Sequence, residues 1–177
     1  GQIIYTPFDE SVKQAVTASY YGVPFAVLVL VLVAVTVGFV LSATTFGREV
    51  YATGGNPNAA LIAGVGPRRV TTIVFVISAA CAGLAGSILA LQLGTVRPGI
   101  GAGYEFDAVT AVVIGGTSLF GGAGSVTRTM GGLLVVGLTT NVLALVGVPT
   151  PAQGLIKGGV IVGAVALDVA TRVRSKR

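Results

Sequence analysis

The chain has 177 residues, 53% of them hydrophobic and 10% charged, with a mean hydropathy of +0.91, which places it in a membrane rather than among soluble domains. It has no histidine and a single cysteine, Cys81, so Ser-His and Cys-His catalysis, HExxH-type zinc sites, cysteine metal clusters and an intrachain disulfide are excluded. The net charge of +5 is a topology signal rather than a nucleic-acid footprint, because the basic residues gather at segment ends and in the C-terminal tail.

Residues 1–21 mix apolar and polar groups, with Asp9, Glu10 and Lys13 close together. They read as a connection outside the membrane, with a short helix near residues 10–19. Residues 22–42 carry no charge and are long enough for about 30 Å of hydrocarbon. Residues 44–70 follow, the only long polar and glycine-bearing stretch between two such spans. They hold a small helix with its own signals. Asn56 is a good N-cap, Pro57 suits the first helical position, and Gly64 stands where a left-handed residue ends a helix. About two turns are too few to be stable alone in water, so this helix needs a surface to dock on.

A second uncharged span covers residues 70–93, started by Pro67 and ended by Gly94. Its small residues, among them Ala79, Ala80, Gly83 and Gly86, suit close approach of a neighbouring helix. After a loop at 94–107 comes the apolar run 108–114, with Glu105 and Asp107 at its start. These acids fit a helix N-terminus better than an acid/base pair, with Arg97 as their partner. Residues 115–124 hold five glycines in ten positions, which no plain lipid-facing helix tolerates. Irregular backbone at membrane depth is buried in protein or lines a cavity. Gly115, Gly116, Thr117, Ser118, Gly121 and Gly122 therefore either line a pathway or form a hinge, or serve tight packing, and local pattern leaves both open. Residues 126–146 are the next span, capped by Ser125. Asn141 within it calls for a hydrogen-bond partner. A final helix runs from near Pro151 to Arg172, with the small-residue pairs Gly154/Gly158 and Gly159/Gly163.

Positive charge chooses between a glycine-broken stretch that crosses and one that returns. With about five crossings, eight basic residues (Arg48, Arg68, Arg69, Arg128, Arg172, Arg174, Lys176 and Arg177) fall inside and three (Lys13, Arg97 and Lys157) outside. A returning stretch reverses that score, so the positive-inside rule selects the short broken crossing. The expected fold is all-α, a polytopic integral membrane helix bundle of about five crossings, one of them short and Gly-broken. Residues 43–69 are then a cytoplasmic loop and 172–177 a cytoplasmic basic tail.

Three motifs carry a family resemblance: Thr45-Phe46-Gly47-Arg48; Tyr51-Ala52-x-Gly54-Gly55-Asn56 with Ala59-Ala60-x-x-x-Gly64-Val65; and Gly103-Tyr104-Glu105-Phe106-Asp107-Ala108 running into Gly115-Gly116-Thr117-Ser118-Leu119-x-Gly121-Gly122. In order and spacing, from Gly22 to Asp168, the chain resembles ribose-type ABC sugar permeases of bacteria. Branched-chain amino-acid permeases share the general plan and are the alternative, but the Gly-Gly-Thr-Ser form tilts the resemblance to sugar. The resemblance implies a subunit of an importer in the bacterial cytoplasmic membrane, with a cytoplasmic C-terminus. Family permeases are about twice this length, and the chain resembles their C-terminal half. The resemblance further implies ABC ATPase subunits, a second permease unit or the N-terminal half, and a soluble sugar-binding protein as partners. No cofactor is expected on this chain; ATP and Mg belong to the ATPase, and no GxxxxGK[ST] loop is present. By the same resemblance Arg48, Asn56, Asn58, Ala59, Ala60 and Gly64 couple to the ATPase. Gly115 to Ser118, Gly121, Gly122 and Asn141 are pathway or hinge residues, and Arg97 and Glu105 lie on the binding-protein side. No catalytic or metal-binding residue is expected. A passive channel or scaffold is the reading from another class, and the absence of a ring of charges weighs against a channel.

Overall fold

The computed structural model describes residues 16–20, 22–95 and 98–175. Most of the expected outer connection, Arg97 and the last two basic residues lie outside that description. The architecture is the all-α membrane bundle expected. The helices are α1 (Phe25–Ala43), α2 (Thr45–Gly55), α3 (Pro57–Ile62), α4 (Pro67–Leu93), α5 (Tyr104–Ile114), α6 (Val126–Leu145) and α7 (Thr150–Ser175). A two-residue antiparallel pair, β1 (Ser19–Tyr20) with β2 (Val23–Pro24), precedes α1. The short helix expected to reach residue 19 therefore stops earlier, because Ser19 pairs with Pro24.

Among the described residues, α1, α4 and α6 are long and apolar enough to cross a membrane. Helix α5, with 11 residues, is only about 16 Å long and cannot cross alone. The chain direction shows how residues 115–125 complete its path. Helix α4 begins beside α2 and runs for 27 residues, about 40 Å. Helix α6 begins back at the α2 end: Tyr51 of α2 donates to the Gly124 carbonyl at 3.1 Å, and Gly38 of α1 lies over Val126. The broken stretch thus returns the chain to the end it left at Pro67, as a crossing does.

The central stretch 44–70 is more ordered than the sequence predicts. It is not a loop with one small helix but two helices meeting at Asn56. Thr44 starts the first of them. Its hydroxyl donates to the Val40 carbonyl at 2.6 Å and accepts the Gly47 amide at 3.2 Å, so one side chain closes α1 and caps α2. Gly47 is buried, and a Cβ there would overlap the Leu41 carbonyl. The glycine lets α2 fold back onto the end of α1.

Helices α5 and α6 are antiparallel and nearly touch. A Cβ at Gly115 would stand 2.6 Å from the Arg128 carbonyl oxygen, and one at Gly132 would run into the Ala111 carbonyl. Helix α7 packs on α5, where Lys157 pairs with Asp107. The small residues of α4 and α7 behave differently. Gly83 and Gly86 of α4, and Gly154, Gly158, Gly159 and Gly163 of α7, have no atom within 4 Å of an added Cβ. The close packing expected at these positions does not occur among the described residues. In α1 no residue is buried, and in α4 only Val70 is. Apolar helices gain little from each other where lipid is as apolar as leucine, so these spans keep their surfaces outward.

Candidate functional site

Helix α3 forms as its signals predict. The Asn56 side-chain carbonyl accepts the Asn58 and Ala59 amides, each at 3.1 Å. Pro57 opens the helix. Gly64 adopts φ +83° and the Val65 amide closes on the Ala60 carbonyl at 3.0 Å, a left-handed stop that glycine alone adopts without strain. Asn56→Ala removes the one oxygen that accepts both amides and costs α3 about 1 kcal/mol. Amide exchange across residues 58–63 will quicken roughly five-fold in hydrogen-exchange measurements.

Not every residue expected on the docking face is available. Arg48, Asn56, Asn58, Ala59 and Gly64 are exposed, but Ala60 is only 3% exposed. Ala60 turns inward, as does Val70 at the start of α4, and its small side chain serves internal packing. The sequence reading missed Leu61 and Ile62, which are 63% and 89% exposed. On a six-residue helix the face that turns out depends on where α2 and α4 seat it, which no periodicity shows. The surface at this end is therefore two bare aliphatic side chains, flanked by asparagines and by the exposed Arg48, Arg68 and Arg69.

The glycine-rich stretch joins this same region. Helix α5 ends in a second left-handed stop. Gly116 has φ +74° and the Thr117 amide bonds to the Val112 carbonyl at 3.1 Å. The Ser118 amide then bonds to the Ala123 carbonyl at 2.9 Å, and that of Gly121 to the Ser118 carbonyl at 3.2 Å. Thr129 donates to the Ser125 carbonyl at 3.1 Å and pairs with the Thr117 hydroxyl at 3.2 Å. Amides and a hydroxyl that the sequence left open for a ligand are thus engaged within the protein. Gly121 and Gly122 press directly on Gly54 and Gly55 of α2. A Cβ at Gly54 would stand 2.7 Å from the Gly122 nitrogen, and one at Gly121 2.6 Å from the Gly54 carbonyl oxygen. A cavity of about 330 Å³ lies alongside, reached by Tyr51, Thr117, Ser118 and Met130. Asn141 does not join this group; it is exposed on the surface of α6.

Toward the other end, Glu105 and Asp107 take their places in the first turn of α5. The Glu105 carboxylate accepts the Gly103 amide at 3.0 Å. Asp107 finds Lys157 of α7, with Nζ 2.5 Å from Oδ1; the expected partner Arg97 lies outside the described residues. The two are fifty positions apart. The available signal was the lone lysine in an apolar helix, which needs a partner at that depth. Among the described residues no group of histidine, cysteine, aspartate or glutamate is placed to hold a metal.

Residues 2–165 match the family described as branched-chain amino acid transport system / permease component. The chain is 38% identical over 172 residues to the probable ABC transporter permease protein YphD of Escherichia coli, covering 97% of this chain and 52% of that protein. It is 42% identical to the ribose import permease protein RbsC of Bacillus subtilis over 84% of this chain and 46% of the relative. It is 40% identical to the xylose transport system permease protein XylH of Haemophilus influenzae over 86% and 41%. The chain spans about half the length of these curated relatives. No solved structure matches it.

Proposed function

The chain belongs to this permease family, and on that premise we propose that it is part of the membrane subunit of a bacterial ABC importer for a monosaccharide of the ribose or xylose type. Relatives near 40% identity that are named for ribose, xylose and allose support the sugar. The family description keeps a branched-chain amino acid as the second reading. Uptake of labelled ribose or xylose, competed by unlabelled leucine, separates the two: sugar uptake insensitive to leucine is expected, and the reverse sinks the sugar.

In this proposal the protein is not itself an enzyme. ATP and Mg are bound by a partner ATPase, and a soluble binding protein delivers the sugar at the Glu105 end. The α2–α3 end faces the cytoplasm together with the C-terminus, in keeping with Arg48, Arg68, Arg69 and Arg128 at one end and Lys157 toward the other. The observation that carries the reading is α3 itself: a capped helix too short to stand alone, presenting exposed Leu61 and Ile62 beside Asn58, Ala59 and Arg48. These are the side chains that seat in the ATPase.

The test is a single cysteine, Ile62→Cys, in a Cys81→Ala background, within the complete permease co-expressed with its ATPase. Crosslinking to the ATPase is expected, with labelling by thiol reagents from the cytoplasmic side. Labelling only from outside would invert the topology and remove the docking argument with it.

A further inference from the structure

We propose that the backbone seam between Gly54–Gly55 of α2 and Gly121–Gly122 of the broken crossing is the joint through which movement of α3 reaches the membrane-spanning helices. This rests on the reading of α3 as the ATPase contact and names the element that carries its motion onward.

Three features make the seam a joint rather than ordinary packing. The first is its stiffness. Added Cβ atoms at Gly54, Gly121 and Gly122 would come within 2.6–2.7 Å of main-chain atoms across the seam. Backbone meets backbone there, and no rotamer can yield to absorb a displacement. The second is its attachment to α3. Asn56 ends α2 through its amide on the Ala52 carbonyl at 3.0 Å and starts α3 through its side chain. One residue joins the two helices, so a shift of α3 is delivered to Gly54 and Gly55 without an intervening linker. The third is the receiving side. Gly121 and Gly122 have φ of +87° and +78°, which leaves residues 118–124 able to be re-aimed at two glycines. The cavity of about 330 Å³ beside them gives room for that change. Beyond the loop, Gly115 abuts Arg128 and Thr129, so a displaced loop acts on the end of α5 and the start of α6 together.

Tyr51 is the positioning residue. Its hydroxyl donates to the Gly124 carbonyl at 3.1 Å and so ties the loop to α2, letting α2 pull as well as push. Tyr51→Phe removes that tie and keeps the ring.

The experiment uses the complete permease with its ATPase and binding protein in lipid vesicles. Hydrogen exchange at residues 118–124 is followed with and without a non-hydrolysable ATP analogue, and sugar moved per ATP hydrolysed is measured on the same preparation. The expected result is a nucleotide-dependent change in exchange in the wild type that is lost in Tyr51→Phe. Transport per ATP falls at least five-fold in that variant, the lower end of a typical coupling energy between sites. Gly54→Ala reproduces the loss where it assembles; where it does not, Tyr51→Phe decides. No response at 118–124 in the wild type, or an equal response in wild type and Tyr51→Phe, overturns the proposal. The Ile62→Cys crosslink keeps the two readings apart. A crosslink without a response at 118–124 sinks the joint alone, whereas a response without a crosslink sinks the docking at α3, and with it α3 as the source of the motion, but leaves the seam as the element that moves.

Discussion

Gly132→Ala will destabilise the protein by about 1–3 kcal/mol, the usual range for overpacking, while Gly131→Ala, one position earlier, will leave it unchanged or stabilise it. The two glycines differ only in what they face. A Cβ at Gly132 would overlap the Ala111 carbonyl and stand 2.8 Å from the Gly115 nitrogen, all of it main chain. Helix α5 would have to move off α6, losing the contact of Gly115 with Arg128 and Thr129 as well. At Gly131 an added Cβ has nothing within 4 Å among the described residues, so alanine there only removes the entropic penalty of glycine inside a helix, about 0.5–1 kcal/mol. Thermal unfolding of the complete permease in detergent should therefore separate the neighbouring variants clearly. Equal midpoints would mean that α5 and α6 do not approach as closely as described.

Asp107→Ala and Lys157→Ala will each cost about 2–4 kcal/mol, and the double variant will cost less than the sum of the two. The side chains are 17% exposed for Lys157 and 25% for Asp107, so the loss is set somewhat below the roughly 3–5 kcal/mol of a fully buried pair. The mechanism is the stranded charge: either single change leaves the other ion without its partner, and Lys157 itself lines an apolar cavity of about 70 Å³ with Thr110, Val136 and Ile156. The pair also ties the start of α5 to α7 within the direct packing of these two helices. A double-mutant cycle on unfolding midpoints, with Asp107→Asn and Lys157→Met as near-isosteric controls, measures the coupling. Additive losses would show that the two residues do not act as a pair.

The caps show how much local structure was legible. Asn56, Pro57 and Gly64 delimit α3 as read, because each acts on the backbone within a few residues of itself, through a side-chain acceptor, a fixed φ or a permitted positive φ. Ser125 likewise caps α6, accepting the Arg128 amide at 3.3 Å. Helix α2 was hidden in what read as a polar loop, since Gly47, Gly54 and Gly55 are poor helix formers. All three are there for tertiary reasons: Gly47 for the fold-back onto Leu41, the other two for the seam with Gly121 and Gly122. Ala60 was read as an ATPase contact and proves buried, while Ile62 was passed over and is 89% exposed.

The sequence by itself determined the membrane class, the main spans, the cap positions and the permease family, because apolar length, local backbone chemistry and motif order are properties of the chain alone. Only the tertiary structure decided which glycines touch, which face of α3 turns outward and that Asp107 meets Lys157. Those outcomes depend on how helices from distant parts of the chain stack, and a glycine or a lone lysine is compatible with many stackings until a neighbour is in place.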